Sequence, residues 1–300
     1  MRLPSLKQIL RRAPTAPDVA GQGAAVLAQF SNLAGTALKR HIQSLHESGD
    51  RRNPDTLAGA LLSEEQRQFC LHIGQQGLAD LRKEAYYFYL IARTKVYDQM
   101  LLDAVASGVR RVLIMGTGFD TRFYRFGGHL AALNVQVAEC DQPEAIAMKR
   151  QLAASLPFAG HVRYMPVDLN QPETWTDVSQ WLGAADAPAL LIAEGVSPYI
   201  EAASFRTLLA GLPKLLPPCS RIGYDFKLSG VADEFGKAAS VVPRFRLNLD
   251  ERMIAEMHAP WGYRQTSVMA SDAMMQAQVP SWNASVSPLF REDAVVQLVC

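Results

Sequence analysis

Residues Val112 to Phe126 read V-L-I-M-G-T-G-F-D-T-R-F-Y-R-F. Four apolar residues of strand character run straight into Gly116-Thr117-Gly118, and an amphipathic stretch follows. A buried strand, a tight turn and a helix start in that order are the first unit of an α/β sheet. Backbone without Cβ atoms turns sharply and lets a ligand come close. The segment therefore proposes a nucleotide-type cofactor at the carboxyl end of that strand.

The loop chemistry narrows the cofactor. A dinucleotide fingerprint G-x-G-x-x-G needs a third glycine or alanine for close helix–strand packing, and Thr121 holds that place. Asp120 stands where a pyrophosphate wants N–H donors and no negative neighbour. A carboxylate there suits a ligand with a cationic part near the turn, such as the α-ammonium of S-adenosylmethionine. Taken alone, the glycine pair is equally a tight turn without a ligand.

Three further strands repeat the pattern. Val135 to Asp141 ends in Glu139-Cys140-Asp141, about 25 residues past Gly116, near the spacing expected of a ribose-binding acid. Val162 to Val167 ends in Asp168-Leu169, an acid to accept from an adenine amino group beside an apolar surface for the ring. Ala189 to Ala193 ends in Glu194-Gly195. A single such acid is as readily a solvated strand end. Four endings in chain order line one edge of a parallel sheet, where ligands of open α/β sheets bind.

From 111 onward, strands and helices alternate at βαβ spacing. A helix over 203–215 is punctuated by Pro217-Pro218, and Arg221 to Asp225 is expected as a fifth strand. Residues 232 to 258 are expected helical, and 262–269 and 293–299 are expected as an antiparallel edge pair. Residues 18 to 107 read mostly helical, in segments near 22–47, 63–82 and 84–106. Asn53-Pro54-Asp55 marks a turn, and Ser63 before Glu64 and Glu65 marks a helix start. The aromatic run Tyr86 to Tyr89 reads first as helix packing and second as substrate stacking. The first 17 residues are basic and acid-free, a short helix or arm, with a transit peptide or docking arm as the other reading.

A chain of 300 residues, 49% hydrophobic, has enough apolar content for a large core. The expected division is a helical region over 1–108, covering the active site as an extension or lid, and a cofactor-binding core over 109–300. The net charge of +1, with basic pairs scattered, argues against a nucleic-acid partner, and no apolar run reaches membrane-span length. Cys70, Cys140, Cys219 and Cys300 lie far apart, and the histidines show no paired spacing, so no metal site is expected. The cysteines read as reduced thiols of a cytoplasmic protein. Gly195-Val-Ser197-Pro-Tyr199 has tyrosine where a hydrolase elbow needs a small residue, which sets that reading aside.

The runs G-T-G-F-D-T-R-F-Y-R, E-C-D-Q-P with Lys149-Arg150 downstream, V-D-L and A-E-G-V-S-P-Y-I resemble the leucine carboxyl methyltransferase family. Upstream, Ile91 to Asp98 is similar to its A-R-T-x-x-x-D segment. The family is a branch of the class I S-adenosylmethionine-dependent methyltransferases, and the resemblance spans roughly 85 to 226. It implies a Rossmann-like seven-stranded sheet with helices on both faces. It implies that Arg93 pairs with the cofactor carboxylate and that Gly116 and Gly118 line its methionine part. Asp141 holds the ribose, and Asp168 and Leu169 hold the adenine. Glu194 stands beside the ammonium and the reaction centre. Thr117, Asp120 and Gln142 complete the candidate cofactor set, and Glu194 with Tyr199 is the candidate catalytic pair. Val196-Ser197-Pro198 departs from the apolar pair often found in E-G-x-x-x-Y, and proline pins the turn before Tyr199.

Methyl transfer is a direct displacement, so the protein supplies orientation and desolvation. A carboxylate acceptor needs no general base; a hydroxyl usually does. No histidine stands at the four strand ends, and Tyr199 and Tyr224 are the nearest candidates. The expectation is O-methylation of a carboxylate or acidic hydroxyl on a small molecule or biosynthetic intermediate. A nicotinamide-dependent oxidoreductase and a non-catalytic cofactor-binding protein are the alternatives. The 84–106 helix is expected to close as a lid. Specificity is expected from the N-terminal helices and from 228–260, where Arg244 or Arg246 could neutralise an acidic acceptor.

Overall fold

The structure is a computed structural model that describes residues 32–184, 186–231, 243–285 and 287–300. The basic arm and the first part of the 22–47 segment lie outside the described residues. Helices α1 (Asn32–His46), α2 (Glu64–Leu71), α3 (Gly74–Arg82) and α4 (Ala85–Ala106) come first. The alternating part begins with β1 (Arg111–Met115), α5 (Arg122–Arg125), α6 (Gly127–Ala132), β2 (Gln136–Asp141), α7 (Pro143–Leu152) and β3 (Val162–Pro166). It continues through α8 (Thr176–Gly183), β4 (Ala189–Ala193), α9 (Ala202–Gly211) and β5 (Arg221–Leu228). The chain ends with β6 (Arg246–Leu247), α10 (Glu251–His258), β7 (Gln265–Ala270), α11 (Ser271–Gln278) and β8 (Asp293–Val299).

The sheet order is β3-β2-β1-β4-β5-β8-β7, with the two-residue β6 beside the end of β5. The expected seven strands form the main path, and β6 makes eight. Strands β1 to β5 run parallel, and β8 is antiparallel to both β5 and β7. Strand order reverses at β1, because β2 and β3 lie on one side and β4 returns to the other. The carboxyl ends of β1 and β4 therefore flank the switch point where open α/β sheets bind ligands.

Alternating side chains of the central strands feed two cores. Val112, Ile114, Leu190 and Ile192 join the cluster under α1 and α4, while Leu113, Met115, Leu191 and Ala193 join the opposite one. The first cluster runs from Ala37 and Leu38 on α1 to the sheet without a break. Fifteen of the 22 residues of α4 are buried. That burial belongs to a core helix rather than to the lid expected of 84–106, since opening it would expose Tyr87, Phe88 and Ile91 at about 1.5–3 kcal/mol per side chain. The aromatic run packs within this core: Tyr89 stacks on Phe290 at 4.3 Å, and Tyr87 meets Phe88 edge-on at 5.1 Å.

Two other expectations change. The 63–82 segment is two helices. Ser63 opens the first with a reciprocal capping box to Gln66, and the second begins at Gly74, whose φ of 68° breaks the run. Within 232–258, residues 232–242 lie outside the described set, Arg246–Leu247 is strand and only Glu251–His258 is helix. Pairing with β5 outweighs local helix preference at 246–247. Among the described residues, no helix is long and apolar enough to cross a membrane.

Candidate active site

The loop after β1 turns on Gly116 and Gly118, at φ of 60° and 44°. A Cβ on Gly116 would come within 2.6 Å of Val196 Cγ2, so the turn after β4 packs directly on the glycine. Gly118 N donates to Asp141 Oδ2 at 2.8 Å, and Gln142 N donates to Oδ1 at 2.8 Å. These bonds stitch the ends of β1 and β2 together. Burial raises the Asp141 pKa, and the two backbone donors oppose the rise. A carboxylate offers about four acceptor positions. Asp141 therefore keeps capacity for ribose hydroxyls.

Arg122 stands at the centre of the site and is completely buried. Its Nε donates to Asp98 Oδ1 at 2.9 Å, and its Nη1 meets Glu194 Oε2 at 2.7 Å and Asp120 Oδ2 more closely still. Asp120 also accepts from Arg122 N at 2.7 Å. The Asp120 carboxylate is thus committed to a neighbouring guanidinium, where the sequence suggested a partner for a cationic ligand. Burial opposes its charge, but Arg122 and Lys149 hold the carboxyl below its usual range.

Arg93, on α4, reaches the same point from above the sheet. Its Nε donates to Glu194 Oε1 at 3.0 Å and its Nη1 to Asp225 Oδ2 at 3.3 Å. The guanidinium lies 5.7 Å from the Tyr86 ring and 5.5 Å from the Tyr89 ring. Glu194 is therefore held between two arginines. Burial pushes its pKa up, and Arg122 and Arg93 outweigh burial and bring it below the ordinary value. Asp225 differs: burial pushes it up to about 7 against Arg93, and Gly195 N donates to its Oδ1 at 2.7 Å.

The remaining candidates spread along the edge. Asp168 accepts from Asn170 N at 2.9 Å and Gln171 Nε2 at 3.0 Å, and Leu169 is buried beside it. Tyr199 is 46% exposed on the outer rim, and its carbonyl accepts from Arg244 Nη1 at 2.7 Å. Arg246 donates to the carbonyls of Leu228 and Val231, so both arginines brace backbone. The structure gathers Arg93, Gly116, Thr117, Gly118, Asp120 and Glu194 around the switch point, with Asp141 and Gln142 one strand away and Asp168 and Leu169 beyond them.

Sequence reasoning gave no role to Arg122, Asp98 or Asp225. Signals for all three were present. Arg122 ends the run G-T-G-F-D-T-R, Asp98 ends A-R-T-x-x-x-D, and Asp225 closes the expected fifth strand with an acid as the other strands do. A polar ligand fits the gathered site on one further count. The Tyr97 hydroxyl and Ser197 Oγ are buried with no hydrogen-bond partner among the described residues, and buried hydroxyls are ordinarily bonded.

Residues 34–212 match the family described as leucine carboxyl methyltransferase, well over half of the chain. The chain belongs to the leucine carboxyl methyltransferase family. All the candidate site residues fall inside the matched segment. A relative from Parafrankia sp. (strain EAN1pec), named as an S-adenosyl-L-methionine-dependent methyltransferase, is 30% identical over 52% of this chain and 49% of its own length. A Mycobacterium tuberculosis (strain ATCC 25618 / H37Rv) protein with the same kind of name is 37% identical over 48% of this chain and 46% of its own. The chain spans about half the length of these relatives. A solved methyltransferase structure from Thermobifida fusca YX superposes with a TM-score of 0.51 at 15% identity, over 82% of this chain and 94% of that one. That likeness supports the class I methyltransferase fold. The relatives' names give S-adenosyl-L-methionine as their cofactor, and the acids, arginines and glycines gathered at the switch point are groups of the kind such a polar, charged ligand would need.

Proposed function

We propose that this protein is an S-adenosylmethionine-dependent O-methyltransferase acting on a carboxylate or acidic hydroxyl of a small molecule or biosynthetic intermediate. The observation that carries the reading is the state of the proton acceptors at the strand edge. Glu194 and Asp120 are bound to guanidinium groups and held ionised. Asp225 is occupied by Gly195 N and Arg93. His258 is bonded to the Tyr224 hydroxyl at 2.9 Å within the opposite core. Such a site suits an acceptor that arrives already ionised.

When bound, the cofactor supplies an electrophilic methyl whose bond to sulfur breaks as a bond to the acceptor oxygen forms. The chain's own residues bind and orient. Arg93 receives the cofactor carboxylate while remaining anchored near Glu194 and Asp225. Glu194 faces the ammonium, Asp141 the ribose, and Asp168 with Leu169 the adenine. Tyr199 meets the acceptor at the rim. Within the helical region expected over 1–108, α4 carries Arg93 to the site. We place the protein in the cytoplasm, with no nucleic-acid or membrane partner, on its near-neutral charge and separated thiols.

The test is a mass-spectrometric screen of candidate acids and phenols for products one methylene heavier. With an ionised acceptor, the rate holds as pH falls through neutrality. A rate climbing about tenfold per pH unit near neutrality would instead mark a hydroxyl that must lose its proton.

A further inference from the structure

Beneath the loop after β1 lies a buried pair, Lys149 and Glu139, that none of the cofactor contacts above uses. Lys149, on α7, is completely buried. Its Nζ donates to Thr117 Oγ1 at 2.9 Å and to the Asp120 carbonyl at 2.6 Å. It also pairs with Glu139 Oε2, on β2, at 3.2 Å. An ammonium has three donors, and these three partners match them. Glu139 accepts in addition from the Tyr124 hydroxyl at 3.3 Å.

The two loop anchors bracket Gly118 and Phe119. Gly118 N is the donor to Asp141, and the Phe119 carbonyl accepts from Arg40 Nη2, on α1, at 2.7 Å. A loop with two glycines in the left-handed region has wide conformational freedom of its own. Bonds from outside must therefore select one conformation. A lysine buried for packing alone would not need both of its neutral acceptors on one loop.

We propose that Lys149 is a positioning residue for S-adenosylmethionine. It pins the loop at Thr117 and Asp120 so that the backbone of Gly116 to Gly118 is preset for the cofactor, and Glu139 neutralises the buried ammonium. The proposal takes its ligand from the family's cofactor and locates the determinant of affinity one layer below the contact surface. Burial also pushes the Glu139 carboxyl up to about 7 against the pull of Lys149. Without Lys149 it therefore takes up a proton readily, and a neutral replacement leaves no stranded charge.

The experiment compares Lys149→Met with Glu139→Gln. The readouts are S-adenosylhomocysteine binding by calorimetry, amide exchange at residues 116–122 without ligand, and denaturant unfolding. Lys149→Met is expected to weaken binding about tenfold to hundredfold and to speed exchange in the loop. Glu139→Gln keeps both loop anchors, so it is expected to lower stability while leaving affinity within about threefold. A folded Lys149→Met protein with wild-type affinity and wild-type loop exchange overturns the proposal. Should Lys149→Met fail to fold, Thr117→Val against Thr117→Ser decides by exchange in the ligand-free protein: faster in the valine variant alone supports it, equal in both overturns it. If the wild type bound no S-adenosylhomocysteine, the cofactor reading would fall, and loop exchange would still judge the clamp.

Discussion

From the end of β1 to the first residue of α5 the chain passes through Thr117, Asp120 and Arg122, each under a tenth exposed and each tied to another element. Between β4 and α9 it passes through Ser197, whose hydroxyl has no partner among the described residues, to Tyr199, nearly half exposed. The two segments face each other across the switch point. One is closed by charges drawn from α4, α7 and the residue that follows β4. The other ends in an exposed aromatic steadied through its backbone by Arg244. On the function proposed above, the contrast separates a fixed half that would hold the cofactor from an open half that would meet the acceptor.

The most severe test of the fixed half is Arg122→Met. It strands Asp98, Asp120 and Glu194 without their shared cation, and breaking a buried pair costs about 3–5 kcal/mol. Denaturant unfolding should show a loss on that scale; a loss under about 1 kcal/mol would mean the centre is not held by this arginine. Next is Arg93→Ala, expected to weaken S-adenosylhomocysteine binding about a hundredfold through loss of a desolvated carboxylate partner. Calorimetry giving wild-type affinity would remove Arg93 from the cofactor site. Asp141→Ala should weaken the same binding by about 1.5–3 kcal/mol, with little change in unfolding because its bonds lie at the pocket edge. If affinity holds, Asp141 serves only to stitch β1 to β2.

A smaller effect concerns pH. Burial pushes Asp225 up to about 7, with Arg93 opposing. An acid with a raised folded pKa binds more protons folded than unfolded, so its contribution makes stability fall as pH rises from about 4 towards 7. Glu194 and Asp120, held low, act in the opposite sense only as pH drops below the ordinary carboxylate range. Asp225→Asn should therefore flatten the decline of unfolding free energy over that window. Parallel profiles for variant and wild type would refute the assignment. The smallest expected change is Tyr199→Phe. Cofactor affinity should stay within about twofold, with any effect confined to the acceptor KM, as for an exposed rim residue. A large loss of cofactor binding would move Tyr199 into the fixed half and erase the contrast.

Much of this was legible beforehand, for a local reason. Strand runs ending in Gly116-Thr117-Gly118, Asp141, Asp168 and Glu194 are patterns of a few consecutive residues, and the sheet places those ends on one edge. The Ser63 cap and the antiparallel pair at the carboxyl end are equally local. The expected helix over 232–258 misread 246–247, where β-pairing to Lys227 and Leu228 governs the backbone.

By itself, then, the sequence determined the order of β1 to β5 and their helices, the cofactor-side loops and the family, because hydrophobic period and turn chemistry act over a few residues. Only the tertiary structure decided which acids remain available. Glu194 is shared by Arg93 and Arg122 across 101 and 72 positions, and Lys149 spans 32 positions to Thr117. Ion pairs and hydrogen bonds of that reach follow from the packing of α4, α5 and α7 on the sheet, and no local pattern encodes which group meets which.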